Sequence, residues 1–192
     1  MAVQKIVTNT HSTLRKKAKP VESVNQEIKD LLQDLLDTLD SKGDLGVGLS
    51  ANQIDREWRM FVARIYPDGN SDPTDRPQVA PRHFINPEIT ARSKETNTSV
   101  DPEKRYLEGC LSLPDIYGFV ERPLTVTVRF HTIETLENNE DQVEEEFTLD
   151  NSIVMQHEHD HLEGVLFTDH AMAQGHPLYE IKDGEEPRKI EI

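Results

Sequence analysis

Cysteine is almost missing from this chain. Among 192 residues there is one, Cys110, which rules out an internal disulfide and fits a reducing cytoplasm. No apolar run approaches the length that spans a bilayer, so no membrane segment is expected. Positive charge is short as well. With 21 Lys and Arg against 36 Asp and Glu, the net charge is −15, which argues against broad binding to DNA, RNA or anionic membranes. Much of the negative charge lies in Glu134 to Asp150 and around Asp183 to Glu186, and reads as a solvated face that keeps the protein soluble. The basic cluster Arg15, Lys16, Lys17 and Lys19 has no apolar stretch beside it, so no secretory signal is expected.

The length suits one domain with a sizeable core, and no internal repeat is present. Ile28, Leu31, Leu32, Leu35, Leu36 and Leu39 recur at helical spacing, which predicts an amphipathic helix over 24–41, with a Ser23–Gln26 capping box and Gly43 at its end. A glycine-rich turn follows, from Gly46 to Gln53. Arg59 to Tyr66 predicts a strand, Pro67 to Arg82 a loop, and His83 to Ala91 a strand interrupted by Asn86-Pro87. Ser93 to Lys104 is a second loop. Leu124, Val126, Val128 and Phe130 alternate with polar residues, and Val143 to Leu149 continues that alternation after a polar turn at Glu137 to Asp141. A helix capped by Asp150, Asn151 or Ser152 then runs to Gly164. The expected architecture is α+β, antiparallel strands packed around one central helix. A catalytic domain over 1–168 is followed by a loosely packed tail, 169–192, ending in a short strand at Lys189 to Ile192.

That central helix carries His157-Glu158-His159-Asp160-His161. Residues i and i+4 lie one turn apart on one face, so His157 and His161 can grip one metal ion, and Glu158 lies close enough to take a proton from water at that ion. His159, at i+2 from His157, points away. The chemistry depends on the third ligand. Where one protease class has a histidine, this chain has Phe167. Another class takes a downstream glutamate, for which Glu180 and Glu185 fit by count. Cys110, in a Gly-Cys-Leu turn, is the better donor, because a thiolate binds borderline divalent ions strongly.

With Cys110 included, three motifs stand in order: Gly46-Val47-Gly48-Leu49-Ser50-Ala51-Asn52-Gln53, Glu108-Gly109-Cys110-Leu111-Ser112, and Gln156 to Leu162. Together they resemble the GxGLAAxQ, EGCLS and QHExDHL motifs of the peptide deformylases, metal-dependent hydrolases that remove the formyl group from the initiator methionine of new bacterial proteins. Smaller matches at Leu14-Arg15, Pro20-Val21, Ile85-Asn86-Pro87 and Glu121-Arg122-Pro123 carry the likeness from about residue 6 to 168. Ser50 stands where the motif has alanine, a small-for-small change. Ile153 stands where an arginine is often found.

The resemblance implies Cys110, His157 and His161 as ligands of one divalent ion with a coordination position left for water, and Glu158 as general base. It implies the Leu111 backbone N–H and the Gln53 amide as donors to the oxyanion. Fe(II) is the ion implied, with Zn, Ni or Co compatible with the same donors. Val47, Gly48 and Gly109 would line the path of an extended peptide, with the glycines giving close backbone approach. Ile153 and Val154, four and three residues before His157, are expected at the wall of the methionine socket. Glu108 and Arg122 match positions that form a supporting ion pair, and Asp160 would orient a ligand or lie on the surface. The expected partner is the formyl-methionyl nascent peptide, met by a monomer in the cytoplasm, with ribosome association left open and no role for DNA or membrane. A metalloprotease on the same helix and a catalytically silent metal- or peptide-binding homologue are the alternatives.

Overall fold

In the computed structural model, residues 2–69, 79–100, 107–182 and 184–190 are described. The loops expected at Pro67 to Arg82 and Ser93 to Lys104, and the last residues of the strand expected at Lys189 to Ile192, lie partly outside them.

Asn25 starts the first helix, α1 (Gln26–Asp40), its side-chain oxygen accepting from the Ile28 N–H at 3.0 Å. The cap therefore falls two residues beyond the expected Ser23. The apolar stripe of α1 is buried, with Leu35 and Leu39 fully enclosed, each contributing on the order of 1.5–3 kcal/mol. Strands β1 (Gly48–Ser50), β2 (Met60–Ala63) and β3 (Arg82–Arg92) follow, then a short helix α2 (Asn97–Val100) and a hairpin of β4 (Leu107–Cys110) with β5 (Leu113–Phe119). Strand β6 (Thr125–His131), helix α3 (Ile133–Glu137), strand β7 (Val143–Thr148), helix α4 (Leu149–Leu162), helix α5 (Phe167–Ala173) and strands β8 (Leu178–Glu180) and β9 (Arg188–Ile190) complete the order.

The strands form two antiparallel sheets, β1-β2-β3-β6-β7 and β4-β5-β8-β9. The unbroken apolar run Met60-Phe61-Val62-Ala63 has a direct explanation: β2 is buried on both faces. Met60 and Val62 join the cluster under α1, whereas Phe61 and Ala63 join the cluster that includes Met155 and Leu162 of α4. The larger sheet is thus held between α1 and α4, and α4 is the central helix expected. Its buried face is unusually polar. Asn151 exchanges two hydrogen bonds with the Tyr66 backbone, and Ser152 and Gln156 both donate to the Pro123 carbonyl, so buried polar groups pin α4 to the loops beneath it. The N-cap of α4 is Thr148, just before the residues expected to cap it.

Asn86-Pro87 does not break β3. Asn86 takes φ +51 at a shift of register, and its side chain both accepts from the Val21 N–H and donates to the Val21 carbonyl, each at 2.8 Å. After α4, Gly164 takes φ +75 and ends the helix, and a β-carbon there would lie 2.8 Å from the Arg15 backbone. The Ala18 N–H donates to the Leu162 carbonyl, which straps the N-terminal segment to the end of α4. The boundary expected at 168 falls inside α5, and the following stretch is not loose. Ala171 and Leu178 are buried with Leu14, Leu113 and Phe167, and β8 pairs with β5. Few apolar residues suffice there because backbone pairing holds the strands.

Candidate metal centre

Cys110 ends β4, an edge strand of the smaller sheet. Gly109 pairs with Tyr117 but Cys110 pairs with Leu113, so Pro114 to Ile116 bulge out of the hairpin, with Asp115 at φ +64. Such a bulge re-aims the neighbouring side chain. The Cys110 sulfur meets the two imidazoles of α4, and the ligand atoms of Cys110, His157 and His161 all lie within 4.8 Å of one another. Sγ is 3.2 Å from His161 Nε2. One sulfur and two nitrogens at this mutual spacing fit a single tetrahedral divalent ion.

His157 is oriented from behind. Its Nδ1 lies 2.9 Å from Glu108 Oε2, which leaves Nε2 for the sulfur side. Glu108 in turn takes two bonds from Arg122, at 2.5 and 3.0 Å, and Arg122 Nη1 donates to Asp160 at 2.8 Å. Arg122 is 4% exposed, so its charge depends on these two carboxylates. Burial opposes the ionisation of Asp160, but His170 and Arg122 hold its carboxyl down at about 2. His170 Nε2 lies 3.0 Å from Asp160, at ion-pair distance without hydrogen-bond alignment. Asp160 therefore braces Arg122 rather than lying on the surface. On the other side of His157, the Phe167 ring lies nearly parallel to the imidazole at 6.0 Å. The position where a protease would place a third histidine is filled by an apolar wall.

Burial also opposes ionisation of the Cys110 thiol, yet His161 and His157 beside it hold its pKa well below the ordinary value. The same attraction works in reverse on His157. Burial lowers its pKa, but Cys110 and Glu108 hold it well above the usual imidazole range. The sulfur is thus in the thiolate form that ligates metals. Glu158 is different. Burial pushes its carboxyl up to about 7 against the Ser50 hydroxyl beside it, and its Oε2 is enclosed with no hydrogen-bond partner among the described residues. A β-carbon on Gly48 would overlap the Glu158 carboxylate, and one on Gly109 would come within 2.7 Å of the Tyr117 ring. A side chain at either strand edge would have to displace the group it meets.

Gln53 closes the site from the short 3-10 turn after β1. Its Nε2 lies 3.5 Å from Cys110 Sγ and 3.3 Å from Ser112 Oγ. Its Oε1 accepts from the Ser50 N–H and the Ser50 hydroxyl at 2.9 and 3.0 Å. Asn52 donates to the His161 carbonyl and ties the same turn to α4. The roles of Ser112 and of the Ser50 hydroxyl escape the sequence analysis. A signal for the second was present, since Ser50-x-x-Gln53 has the form of a capping box.

The remaining expected residues divide. Leu111 follows Cys110 directly and packs on the α1 cluster, while Val154 packs on the cluster under α4 and Ile153 joins no core cluster. The Val47 carbonyl points into the sheet and accepts from the Arg64 N–H at 2.8 Å. His159 turns away to Arg59, 3.0 Å from Nε2. Glu180 is engaged with Lys182 and Arg188 on the smaller sheet and Glu185 is exposed, so neither joins the ligand group.

Residues 3–176 match the family model described as polypeptide deformylase. A peptide deformylase of Phenylobacterium zucineum is 38% identical over 170 residues, covering 88% of each chain. Among solved structures, a peptide deformylase from Thermotoga maritima is similar with a TM-score of 0.71 at 30% identity, covering 88% of this chain and 98% of that one. A class I type b peptide deformylase from Acinetobacter baumannii, solved with Met-Ala-Ser bound, gives a TM-score of 0.73 at 29% identity, with coverage of 88% and 98%.

Proposed function

The chain belongs to the polypeptide deformylase family, and from that membership we propose how its own residues remove the N-formyl group from the N-terminal methionine of new polypeptides, releasing formate. The observation that carries the reading is the meeting of Cys110, His157 and His161 with the enclosed Glu158 carboxyl beside them.

Cys110, His157 and His161 would hold one divalent ion. When bound, such an ion supplies Lewis acidity, which acidifies water and steadies negative charge on oxygen. Fe(II) is the ion we assign, and Zn, Ni and Co satisfy the same donors. Glu158 takes a proton from the water that adds to the formyl carbon, then delivers it to the methionine nitrogen as the C–N bond breaks. A carboxyl titrating near neutrality suits both transfers. Negative charge gathers on the formyl oxygen during addition, and the Gln53 Nε2–H and the Leu111 N–H would be the donors that meet it. Glu108 and Arg122 keep the His157 ring in register.

β1 and β4 are both edge strands, with unpaired backbone open to an incoming extended peptide. Val47 turns its carbonyl into the sheet, so pairing on this side falls chiefly to Gly48, with Gly109 opposite. Ile153, with Val154 beneath it, walls the methionine socket. We place the reaction on a monomer in the cytoplasm. Any meeting with the ribosome would proceed without direct contact to its RNA, given the net charge of −15.

Metal-loaded protein incubated with formyl-Met-Ala-Ser should release formate and a free amine in equal amounts. Cleavage of an internal peptide bond without formate would favour the protease alternative, and no turnover at all the silent one.

A further inference from the structure

We infer that Ser50 is a positioning residue for the deformylation step, its hydroxyl fixing the Gln53 carboxamide so that Nε2 faces the reacting carbonyl. The inference rests on the oxyanion role proposed for Gln53. A primary amide has two ends of nearly equal shape, so its neighbours decide which end points where. Here one residue supplies two donors to the same end. The Ser50 N–H and the Ser50 hydroxyl reach Gln53 Oε1 at 2.9 and 3.0 Å, and the same hydroxyl also lies within hydrogen-bond reach of the Glu158 carboxyl. At the other end, Nε2 meets two groups able to accept, Ser112 Oγ at 3.3 Å and Cys110 Sγ at 3.5 Å. Ser50, Gln53 and Ser112 are all buried, so water does not compete for these bonds.

The main-chain donor at position 50 would exist with any residue there except proline. The hydroxyl would not. With one donor at Oε1 and only the longer contacts at Nε2 the carboxamide keeps room to pivot, whereas a second donor on the other in-plane lone pair of Oε1 holds the plane. With alanine, as in the family motif, only the first remains. Ser50 therefore adds orientation to a side chain whose usefulness depends on where its N–H points. The capping geometry strengthens this. Gln53 is the third residue of the turn that Ser50 begins, so backbone and side chain constrain each other.

The test is a double-mutant cycle of S50A and Q53A with metal-loaded enzyme and formyl-Met-Ala-Ser, supplemented by S50T. S50A should lower kcat about three- to tenfold, as for one neutral hydrogen bond, with KM changed less than about twofold. S50T, which keeps the hydroxyl, should recover most of that rate. In the Q53A background, S50A should alter kcat by less than about twofold, because the carboxamide it holds is gone; a full loss there would assign the hydroxyl's effect to its contact with Glu158 instead. Unchanged kcat in S50A overturns the inference. So does an undiminished loss in the Q53A background, which would mean that Ser50 acts elsewhere. Absence of formate release from the unsubstituted enzyme would instead sink the deformylase reading itself.

Discussion

Glu108 Oε2 lies 2.9 Å from Nδ1 of His157, and through that contact a strand of the smaller sheet sets the tautomer of a ring on the central helix. A carboxylate behind an imidazole raises its basicity and fixes which nitrogen is free. Glu108→Gln should keep the fold, since an amide oxygen can still face Arg122, but should weaken metal binding by about 10–100-fold. Competition with a calibrated chelator measures this. Unaltered affinity would mean that packing against Phe167 alone orients the ring.

Glu158 is the group assigned to both proton transfers, and it is not among the three side chains proposed to hold the ion. Glu158→Ala should therefore retain one ion per chain by elemental analysis while formate release falls by about 10²–10⁴. Substantial surviving turnover would remove Glu158 from the base role.

The same carboxyl makes stability depend on pH in the metal-free protein. Its folded pKa of about 7 stands above the ordinary 4.5. Below 4.5 both folded and unfolded chains hold the proton. Between 4.5 and 7 only the folded chain does, so stability declines as pH rises across that window, by about 3 kcal/mol, and this contribution is flat above it. Urea midpoints across pH should show that decline in the native chain and lack it in Glu158→Gln.

Asn86 ties β3 to the N-terminal segment through its paired bonds with Val21 while accepting a left-handed backbone. Asn86→Ala removes both bonds and strains the conformation, at a cost of about 2 kcal/mol and roughly 4–8 °C in Tm. A thermal melt decides it, and no shift would show the bulge to be held by Pro87 and the sheet alone.

The facing imidazoles and the α1 stripe were legible because each rests on short-range spacing. His157 and His161 are one turn apart, and Leu31, Leu35 and Leu39 follow the helical repeat. β2 falls inside the strand expected at Arg59 to Tyr66, while its burial on both faces emerged only from the structure. Cys110 was assigned by its donor chemistry and its motif, not by spacing, since it lies on another sheet. The terminal strand β9 falls where a short strand was expected, but β8 was missed because backbone pairing, not apolar patterning, holds it. α4 offers the opposite lesson. Its buried face mixes Met155 and Leu162 with Asn151, Ser152, Gln156 and Glu158, so the helix was legible from its end signals and the histidine motif rather than from an apolar stripe. The brace from Asp160 to Arg122 joins residues 38 positions apart and leaves no local trace.

Because the sole sulfhydryl of this polypeptide stands at the junction of its two sheets, it doubles as an intrinsic reporter. An alkylating dye has one address, and the neighbouring imidazoles keep that address reactive at neutral pH. One label per molecule would register whether the address is open, and protection from labelling would titrate whatever occupies it, with no background from elsewhere in the chain.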